Sequence, residues 1–282
     1  MIDLHTHTTA SDGTFRPAEL VELAYKQGLA ALAITDHDVV DGLAEGIARG
    51  RELGLPVISG VEISVEWQGR EMHILGYYID HQHPQLLQNL AQLREFRAQR
   101  NPKMVEKLQA LGIEITMAEV EAKAQGQVVG RPHFAAVLLE KGVVSSVNEA
   151  FDKYLARGGL AYVPKERLTP REGIDLIRQA GGVPVLAHPR YLGLTQSQLV
   201  DLARELRDYG LAGIEVYYSE NSEADTAQAR AVAEELGLVM TGGTDFHGTN
   251  KPEIQLGRGH GNLSIPFSLV EELEKAWKRL TS

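Results

Sequence analysis

Six of the ten histidines in this chain lie in or at the end of short apolar runs, and most of these six have a carboxylate close by in the sequence. His5 and His7 are two residues apart, and on an extended strand this spacing puts both imidazoles on one face, where they can chelate one ion. Asp245 and His247 repeat the spacing far along the chain. Imidazole nitrogen and carboxylate oxygen together suit divalent transition metals. The pattern predicts a metal site that holds more than one ion.

Other candidate ligands follow apolar runs. Glu62 ends the run 57–61, where a buried carboxylate needs a partner, either a pair of bridged metal ions or a salt bridge. Within residues 36–38, His37 is the expected ligand, while Asp36 would orient a ligand and Asp38 would cap the next helix. Asp12 is also compatible with an ordinary turn. The complete candidate set is His5, His7, Asp12, His37, Glu62, His73, His188, Asp245 and His247.

The elements that carry these ligands alternate between apolar, strand-like runs and amphipathic, helix-like segments. Candidate ligands follow the first strand through to the last, and only a closed sheet brings those strands together, so we expect an irregular (β/α) barrel of about seven strands. Expected strands are 2–5, 30–35, 56–63, a pair at 64–68 and 71–79, 183–187, 213–217 and 238–243. Expected helices are 17–28, 41–53, 170–180, 197–209, 222–236 and 268–280.

Between the two barrel segments, 1–80 and 165–282, residues 81–164 predict an inserted helical subdomain that binds substrate. Asn101 followed by Pro102 predicts a helix start, and Pro132 predicts a second one. Basic residues beside a helix N-terminus favour phosphate binding. The alternative is a solvated basic helix face. The candidate substrate-binding residues are Arg100, Asn101, Lys103, Arg131 and His133.

Composition narrows the class of protein. The 282 residues are 43% hydrophobic, enough for a large core, and contain no cysteine, which excludes disulfides, thiolate zinc sites and thiol catalysis. A net charge of −10 argues against a partner such as duplex DNA. The N-terminal residues lack the pattern of a signal peptide, and no apolar run is long enough to span a membrane. We therefore expect a cytoplasmic protein with no membrane partner.

Taken together, the motifs His-x-His, Asp-His-Asp, Val-Glu-Ile, His-Pro and Thr-Asp-x-His resemble the polymerase and histidinol phosphatase (PHP) family over roughly residues 1–80 and 165–260. The resemblance implies a distorted (β/α)7 barrel and a trinuclear centre that hydrolyses phosphate esters, often with Mn²⁺, and with Mg²⁺, Fe²⁺ or Zn²⁺ as alternatives. It assigns the first ion to His5, His7, Glu62 and Asp245, the second to Glu62, His73 and His188, and the third to Asp12, His37 and His247. Relatives often have histidine where this chain has Asp12.

Within the family, the long helical insertion and Asp12 resemble the subgroup that acts on nucleoside 3′,5′-bisphosphates more than they resemble the histidinol phosphatases. A metal-bridging hydroxide would then attack the 3′-phosphate and release a nucleoside 5′-monophosphate, with His133 or Lys103 as the acid for the leaving group. The alternatives are a 5′-3′ exoribonuclease acting on short 5′-phosphorylated RNA, and a histidinol-phosphate phosphatase. A metal-binding scaffold without turnover is the alternative outside enzymes.

Overall fold

The computed structural model describes residues 1–124, 129–163 and 168–281, except for the side chains of residues 97 and 98. The chain divides into two compact units. The first, called the barrel unit, comprises Met1–Gln88 and Arg167–Ser282, and the second, called the inserted unit, comprises Asn89–Glu166. Each described helix is too short or too polar to span a bilayer.

Seven strands of the described residues form one sheet in sequence order. Neighbouring strands are parallel except at β4, which runs antiparallel to both β3 and β5. The segments 56–63 and 64–68, expected as separate strands, form the single strand β3, because the pairing with β4 runs unbroken from Gly60 to Trp67. The strands are β1 (Ile2–Asp3), β2 (Ala31–Ile34), β3 (Val57–Trp67), β4 (Arg70–Tyr77), β5 (Val183–Leu186), β6 (Gly213–Tyr218) and β7 (Val239–Gly243).

The β3–β4 hairpin turns through Gln68 and Gly69, where the sequence predicts a turn. Both residues have positive φ, 48° and 75° respectively, as a two-residue turn of type I′ requires. The turn reverses the chain, so His73 approaches the centre of the barrel from the antiparallel strand.

The sheet closes where the segment after β1 meets the end of β7. The Leu4 amide donates to the Gly242 carbonyl (3.2 Å), and the Asp245 amide donates to the His5 carbonyl (2.8 Å). A parallel bridge between Thr6 and Phe246 extends the contact. These bonds turn the sheet into the expected distorted (β/α)7 barrel.

Three helices of the barrel unit begin at well-formed caps. Thr169, Thr195 and Ser222 each accept a hydrogen bond from the amide three residues later, and the side chain at that later position bonds back to the cap amide. A buried apolar core lies within this unit and includes Leu75, Val185 and Leu273. The helices are α1 (Pro17–Lys26), α2 (Leu43–Leu53), α7 (Pro170–Gln179), α8 (Gln196–Tyr209), α9 (Glu223–Leu236) and α10 (Ser268–Thr281).

Helix α3 (Pro84–Ala110) begins in the barrel unit and ends in the inserted unit, where α4 (Met117–Ala124), α5 (Arg131–Glu140) and α6 (Val147–Ala150) follow. The helix start expected at Asn101 is wrong, because Pro102 lies inside α3. An interior proline costs about 3 kcal/mol. Burial of Met104 and Leu108, among others, in the core of the inserted unit offsets this cost.

Candidate metal centre

Glu62 is the centre of the cluster of candidate ligands. Its side chain lies on β3 with no exposed surface, and its two oxygens contact the nitrogens of five imidazoles from four segments of the chain. Oε1 lies 2.7 Å from His73 Nδ1 and 2.8 Å from His188 Nε2, whereas Oε2 lies 3.1 Å from His5 Nε2, 3.1 Å from His37 Nδ1 and 3.3 Å from His7 Nε2. Every candidate ligand predicted from the sequence lies in this cluster or directly beside it.

One group of ligand atoms comprises His5, His7, Glu62 and Asp245, all within 4.8 Å of one another. Asp245 Oδ1 lies 3.0 Å from His7 Nε2 and 3.6 Å from His5 Nε2. The same four residues form the first ion site implied by the family resemblance. Both ring nitrogens of His7 are buried without a hydrogen bond, which suits a nitrogen that ligates a cation.

Asp12 belongs to a second group, with His7, His37 and His247. Its Oδ1 lies 3.2 Å from His247 Nε2 and is buried without a hydrogen bond. The resemblance places Asp12, His37 and His247 on a third ion, and the structure adds His7, which lies between this group and the first. A carboxylate in place of a histidine fits a hard divalent cation such as Mn²⁺ or Mg²⁺.

A third group comprises His37, Glu62 and His73. The resemblance implied His188 rather than His37 as the partner of Glu62 and His73. His188 still lies at the same Glu62 oxygen as His73, and the two rings meet edge to face with centroids 5.2 Å apart. Both histidines line a cavity of about 180 Å³ that also contains Tyr191.

The charges of the cluster favour bound cations. Burial lowers the pKa of His37 to about 3, which keeps that ring neutral. Burial also opposes a charge on His7 and His73, but neighbouring carboxylates outweigh it: Asp245 and Glu62 raise the pKa of His7 to about 9, and Glu62 and Glu71 raise that of His73 to about 10. The buried carboxylates thus attract positive charge, which divalent cations can supply in place of protons.

Asp36 and Asp38 each accept hydrogen bonds from a backbone amide and a side-chain hydroxyl of a neighbouring segment. The Asp36 carboxylate accepts hydrogen bonds from the Thr8 amide (2.7 Å) and the Ser11 hydroxyl (2.5 Å), which fixes the loop before Asp12. The expectation that Asp38 caps the next helix is wrong, because α2 begins after Gly42. Asp38 instead accepts from the Ser64 amide and hydroxyl, at 2.9 and 3.0 Å, and so ties its loop to β3.

Residues that were not predicted from the sequence also contact the candidate ligands. Tyr218 donates a hydrogen bond to Asp245 Oδ2 (2.9 Å), and Lys251 Nζ lies 2.6 Å from the same oxygen, so the other oxygen faces His5 and His7. The buried Glu215 lies 2.9 Å from His5 Nδ1. The sequence does contain an indication that Glu215 has a specific role, because it is the single charged residue within the apolar run 213–218.

The candidate substrate residues lie in the inserted unit. Arg100 is 7% exposed and donates to the side chain of Asn101, which in turn donates to the Val129 carbonyl (3.0 Å). Lys103 is exposed in the middle of α3, so the helix N-terminus expected beside it is absent from the described helix.

The second predicted helix start is found: α5 begins at Arg131, after Gly130. Nδ1 of His133 accepts a hydrogen bond from the Gly130 amide (2.9 Å), so a neutral His133 carries its proton on Nε2. The Arg131 guanidinium lies over the Phe151 ring, 5.8 Å from its centroid.

The sequence was compared with models of known protein families. The model of the PHP domain matches residues 3–157, which is more than half of the chain. The chain belongs to the PHP family. This result confirms the resemblance identified from the motifs, and the protein is a metal-dependent phosphoesterase of that family.

Two curated relatives of this PHP protein match over nearly the whole length. The 5′-3′ exoribonuclease Rnm of Escherichia coli is 40% identical, with 98% of this chain and 94% of the relative covered. The 3′,5′-nucleoside bisphosphate phosphatase of Chromobacterium violaceum is 34% identical, with coverages of 97% and 96%. A solved structure of an amidohydrolase from Chromobacterium violaceum, with bound sulfate and no metal, gives a TM-score of 0.85 at 33% identity and covers 98% of this chain and 96% of that one.

Proposed function

We propose that this phosphoesterase removes the 3′-phosphate of nucleoside 3′,5′-bisphosphates and releases nucleoside 5′-monophosphates, using up to three divalent cations, with Mn²⁺ as the expected metal. The observation that carries the proposal is the cluster of nine candidate ligands around Glu62. The relative from Chromobacterium violaceum, named for this activity, supports the choice of substrate.

Bound divalent cations would supply positive charge for the phosphoryl oxygens and lower the pKa of a water molecule. His5, His7, Glu62 and Asp245 would hold one cation, Glu62, His73 and His188 a second, and Asp12, His37 and His247 a third. Tyr218 and Lys251 would keep Asp245 Oδ1 turned towards His5 and His7, because both occupy its other oxygen. The protein residues would therefore act by orienting ligands, and no side-chain nucleophile is required.

The phosphate that is not cleaved is proposed to bind at the start of α5. Arg131 supplies a charge there, and the first amides of a helix favour an anion. His133, whose Nδ1 accepts from the Gly130 amide, is proposed as the acid for the leaving 3′ oxygen. Lys103 stays a second candidate for the acid, and Arg100 and Asn101 are proposed to complete the substrate-binding residues.

A 5′-3′ exoribonuclease is the second candidate function, favoured by the 40% identity to the relative from Escherichia coli. The two reactions are chemically close. Both break the bond between phosphorus and the 3′ oxygen of a 5′-phosphorylated nucleotide, and both release a 5′-monophosphate. They differ in whether that phosphorus carries a further nucleotide. The size of the accepted substrate therefore separates them.

The test is hydrolysis by Mn²⁺-loaded protein of adenosine 3′,5′-bisphosphate and, in parallel, of a 5′-phosphorylated RNA trinucleotide. The proposal expects release of inorganic phosphate with 5′-AMP as product and a kcat/KM for the bisphosphate above that for the trinucleotide. The opposite order would assign the protein to the exoribonucleases. Release of phosphate from histidinol phosphate alone would overturn both candidates.

A further inference from the structure

Glu215 lies at a position that neither the sequence motifs nor the candidate ligand groups include. It belongs to β6, and its side chain has no exposed surface. Its two oxygens contact two different candidate ligands. Oε1 lies 2.9 Å from Nδ1 of His5, and Oε2 accepts a hydrogen bond of 2.8 Å from the backbone amide of His188.

The contact with His5 determines which ring nitrogen is available to a metal. A carboxylate oxygen can only accept, so His5 must carry a proton on Nδ1 to bond with Glu215. The other nitrogen, Nε2, lies 3.1 Å from Glu62 Oε2, within the first ligand group. With the proton on Nδ1, a neutral His5 presents the lone pair of Nε2 to a cation.

The contact with His188 acts on the backbone. His188 has φ 23° and ψ 64°, a conformation that residues other than glycine rarely adopt. The bond from its amide to Glu215 holds this conformation at the point where the imidazole reaches Glu62 Oε1. The side chain of Glu215 thus acts on the ring of one ligand and the main chain of another.

We propose that Glu215 is a positioning residue that fixes the tautomer of His5 and the backbone of His188 together, and so orders ligands of two cations at once. This inference rests on the proposed metal centre, and it does not depend on the identity of the substrate.

Glutamine is an informative replacement because it has one acceptor oxygen and one NH₂ group. Both partners of Glu215, the Nδ1 proton of His5 and the amide of His188, are donors, so a glutamine side chain at this position cannot accept from both. If the glutamine oxygen accepts from the His188 amide, the glutamine NH₂ faces Nδ1 of His5. His5 must then carry its proton on Nε2, so that Nδ1 can accept a hydrogen bond from this NH₂. If the glutamine oxygen accepts from Nδ1 of His5, the amide of His188 loses its hydrogen-bond acceptor. Either arrangement disturbs a ligand.

The experiment compares wild type and Glu215→Gln by two readouts that do not involve turnover. The first is the affinity for Zn²⁺, measured by competition with a chromophoric chelator. The second is the ¹⁵N and ¹H spectrum of ¹⁵N-histidine-labelled, Zn²⁺-loaded protein, which shows the proton on Nδ1 of His5. We expect Zn²⁺ affinity to fall about 10- to 100-fold, as for other residues that orient ligands, together with loss or displacement of the His5 Nδ1–H signal.

Glu172→Gln is the matched control. The carboxylate of Glu172 also accepts two hydrogen bonds, from the amide (2.7 Å) and the hydroxyl (2.8 Å) of Thr169 at the start of α7, and Thr169 is not a candidate ligand. This substitution should lower thermal stability while leaving Zn²⁺ affinity and the His5 signal unchanged. An unaltered His5 signal with wild-type Zn²⁺ affinity in Glu215→Gln would overturn the proposal.

Glu215→Asp provides a second route should the glutamine variant fail to fold. Aspartate keeps two acceptor oxygens on a shorter side chain. The proposal expects the His5 Nδ1–H signal to persist, with a Zn²⁺ affinity below that of the wild type. Loss of that signal at full Zn²⁺ affinity would show that ligand binding does not depend on this bond, and the proposal would then be wrong.

Discussion

Glu62 brings together ligands that no short sequence motif connects. Its carboxylate is buried, which alone would raise its pKa, but the charged rings of His5 and His73 hold the pKa well below its ordinary range. The group therefore stays ionised and available to cations at neutral pH. A single carboxylate thus contacts candidate ligands from four segments of the chain.

Replacing Glu62 with glutamine keeps the shape and removes the charge. We expect Glu62→Gln to lower kcat/KM for the bisphosphate by more than the roughly 100-fold that marks the upper range for residues that only orient ligands. Bound metal per chain, measured by plasma emission spectrometry, should fall in parallel. Glu253→Gln, at an exposed carboxylate, is the control and should match the wild type. Wild-type activity in Glu62→Gln would contradict the proposed centre.

Metal binding should depend on pH in a defined direction. In the metal-free protein the pKa values of His7 and His73 are raised to about 9 and about 10, so protons occupy these ligands at neutral pH. A cation must displace them, and its affinity should therefore rise as the pH increases from 6 to 9. Titration with Zn²⁺ in the presence of a chelator, at pH 6, 7.5 and 9, measures this. An affinity independent of pH would argue against these protonated rings.

Arg131 offers a test of substrate recognition. If it binds the uncleaved phosphate, Arg131→Ala should raise KM for adenosine 3′,5′-bisphosphate about tenfold or more, since one charge-assisted bond contributes about 1.5–3 kcal/mol. KM for an aryl phosphate, which has only one phosphate, should change little. Lys103→Ala tests the other basic residue in the same assay. Equal effects of Arg131→Ala on both substrates would exclude the role of Arg131.

The candidate ligands could be found from the sequence because four of the nine stand in pairs with a spacing that strands impose, as His5 and His7 do, and others, such as Glu62 and His188, follow apolar runs. The contacts of Glu215 and Tyr218 could not be predicted, although Glu215 stands out as a lone charge in an apolar run, since each is a single residue whose partners lie in distant segments. Burial and hydrogen bonding define their roles, and neither can be read from spacing.

At the level of elements, the contact between β7 and the segment after β1 both closes the barrel and positions ligands. Asp3 accepts hydrogen bonds from the amide (2.9 Å) and hydroxyl (2.5 Å) of Thr244, beside Asp245. Gly243 lies so close to His5 that a β carbon there would be 2.3 Å from the His5 β carbon. Only glycine fits without separating the two segments.

Gly243→Ala should therefore destabilise the protein by roughly 1–3 kcal/mol, the usual cost of overpacking a core, and should weaken Zn²⁺ binding by moving His5. Thermal unfolding and metal titration measure the two effects. Gly130→Ala is a control in the inserted unit, where φ is −122° and the nearest neighbour of a β carbon would be 3.4 Å away. An intact metal affinity in Gly243→Ala would show that His5 tolerates displacement.

The strands and helices of the barrel were predictable because apolar periodicity and caps such as Thr169 agree there. The helix start at Asn101 was not, because the local signal of asparagine before proline was overridden by packing of Met104 and Leu108 in the core of the inserted unit. The single strand β3 was also missed, since its continuity depends on pairing with β4.

At the level of the whole molecule, the net charge of −10 includes buried carboxylates that repel one another. Bound cations should therefore stabilise the fold as a whole. We expect saturating Mn²⁺ to raise the Tm by several degrees, since a ligand at 100 times its Kd contributes about 2.7 kcal/mol. Calorimetry with and without a chelator measures the shift, which should be smaller in Glu62→Gln. No change in the wild type would contradict metal binding by the folded state.

The closure of the barrel also has a consequence for biosynthesis. Asp3 and Thr244 are 241 residues apart in the chain, yet they meet beside the metal ligands. At a synthesis rate of about 5–20 residues per second, the first ligands emerge from the ribosome tens of seconds before the last. If His5 and His7 bind cations together with Asp245 and His247, as proposed, the full set of cations would bind only after the last strand has been synthesised and the barrel has closed.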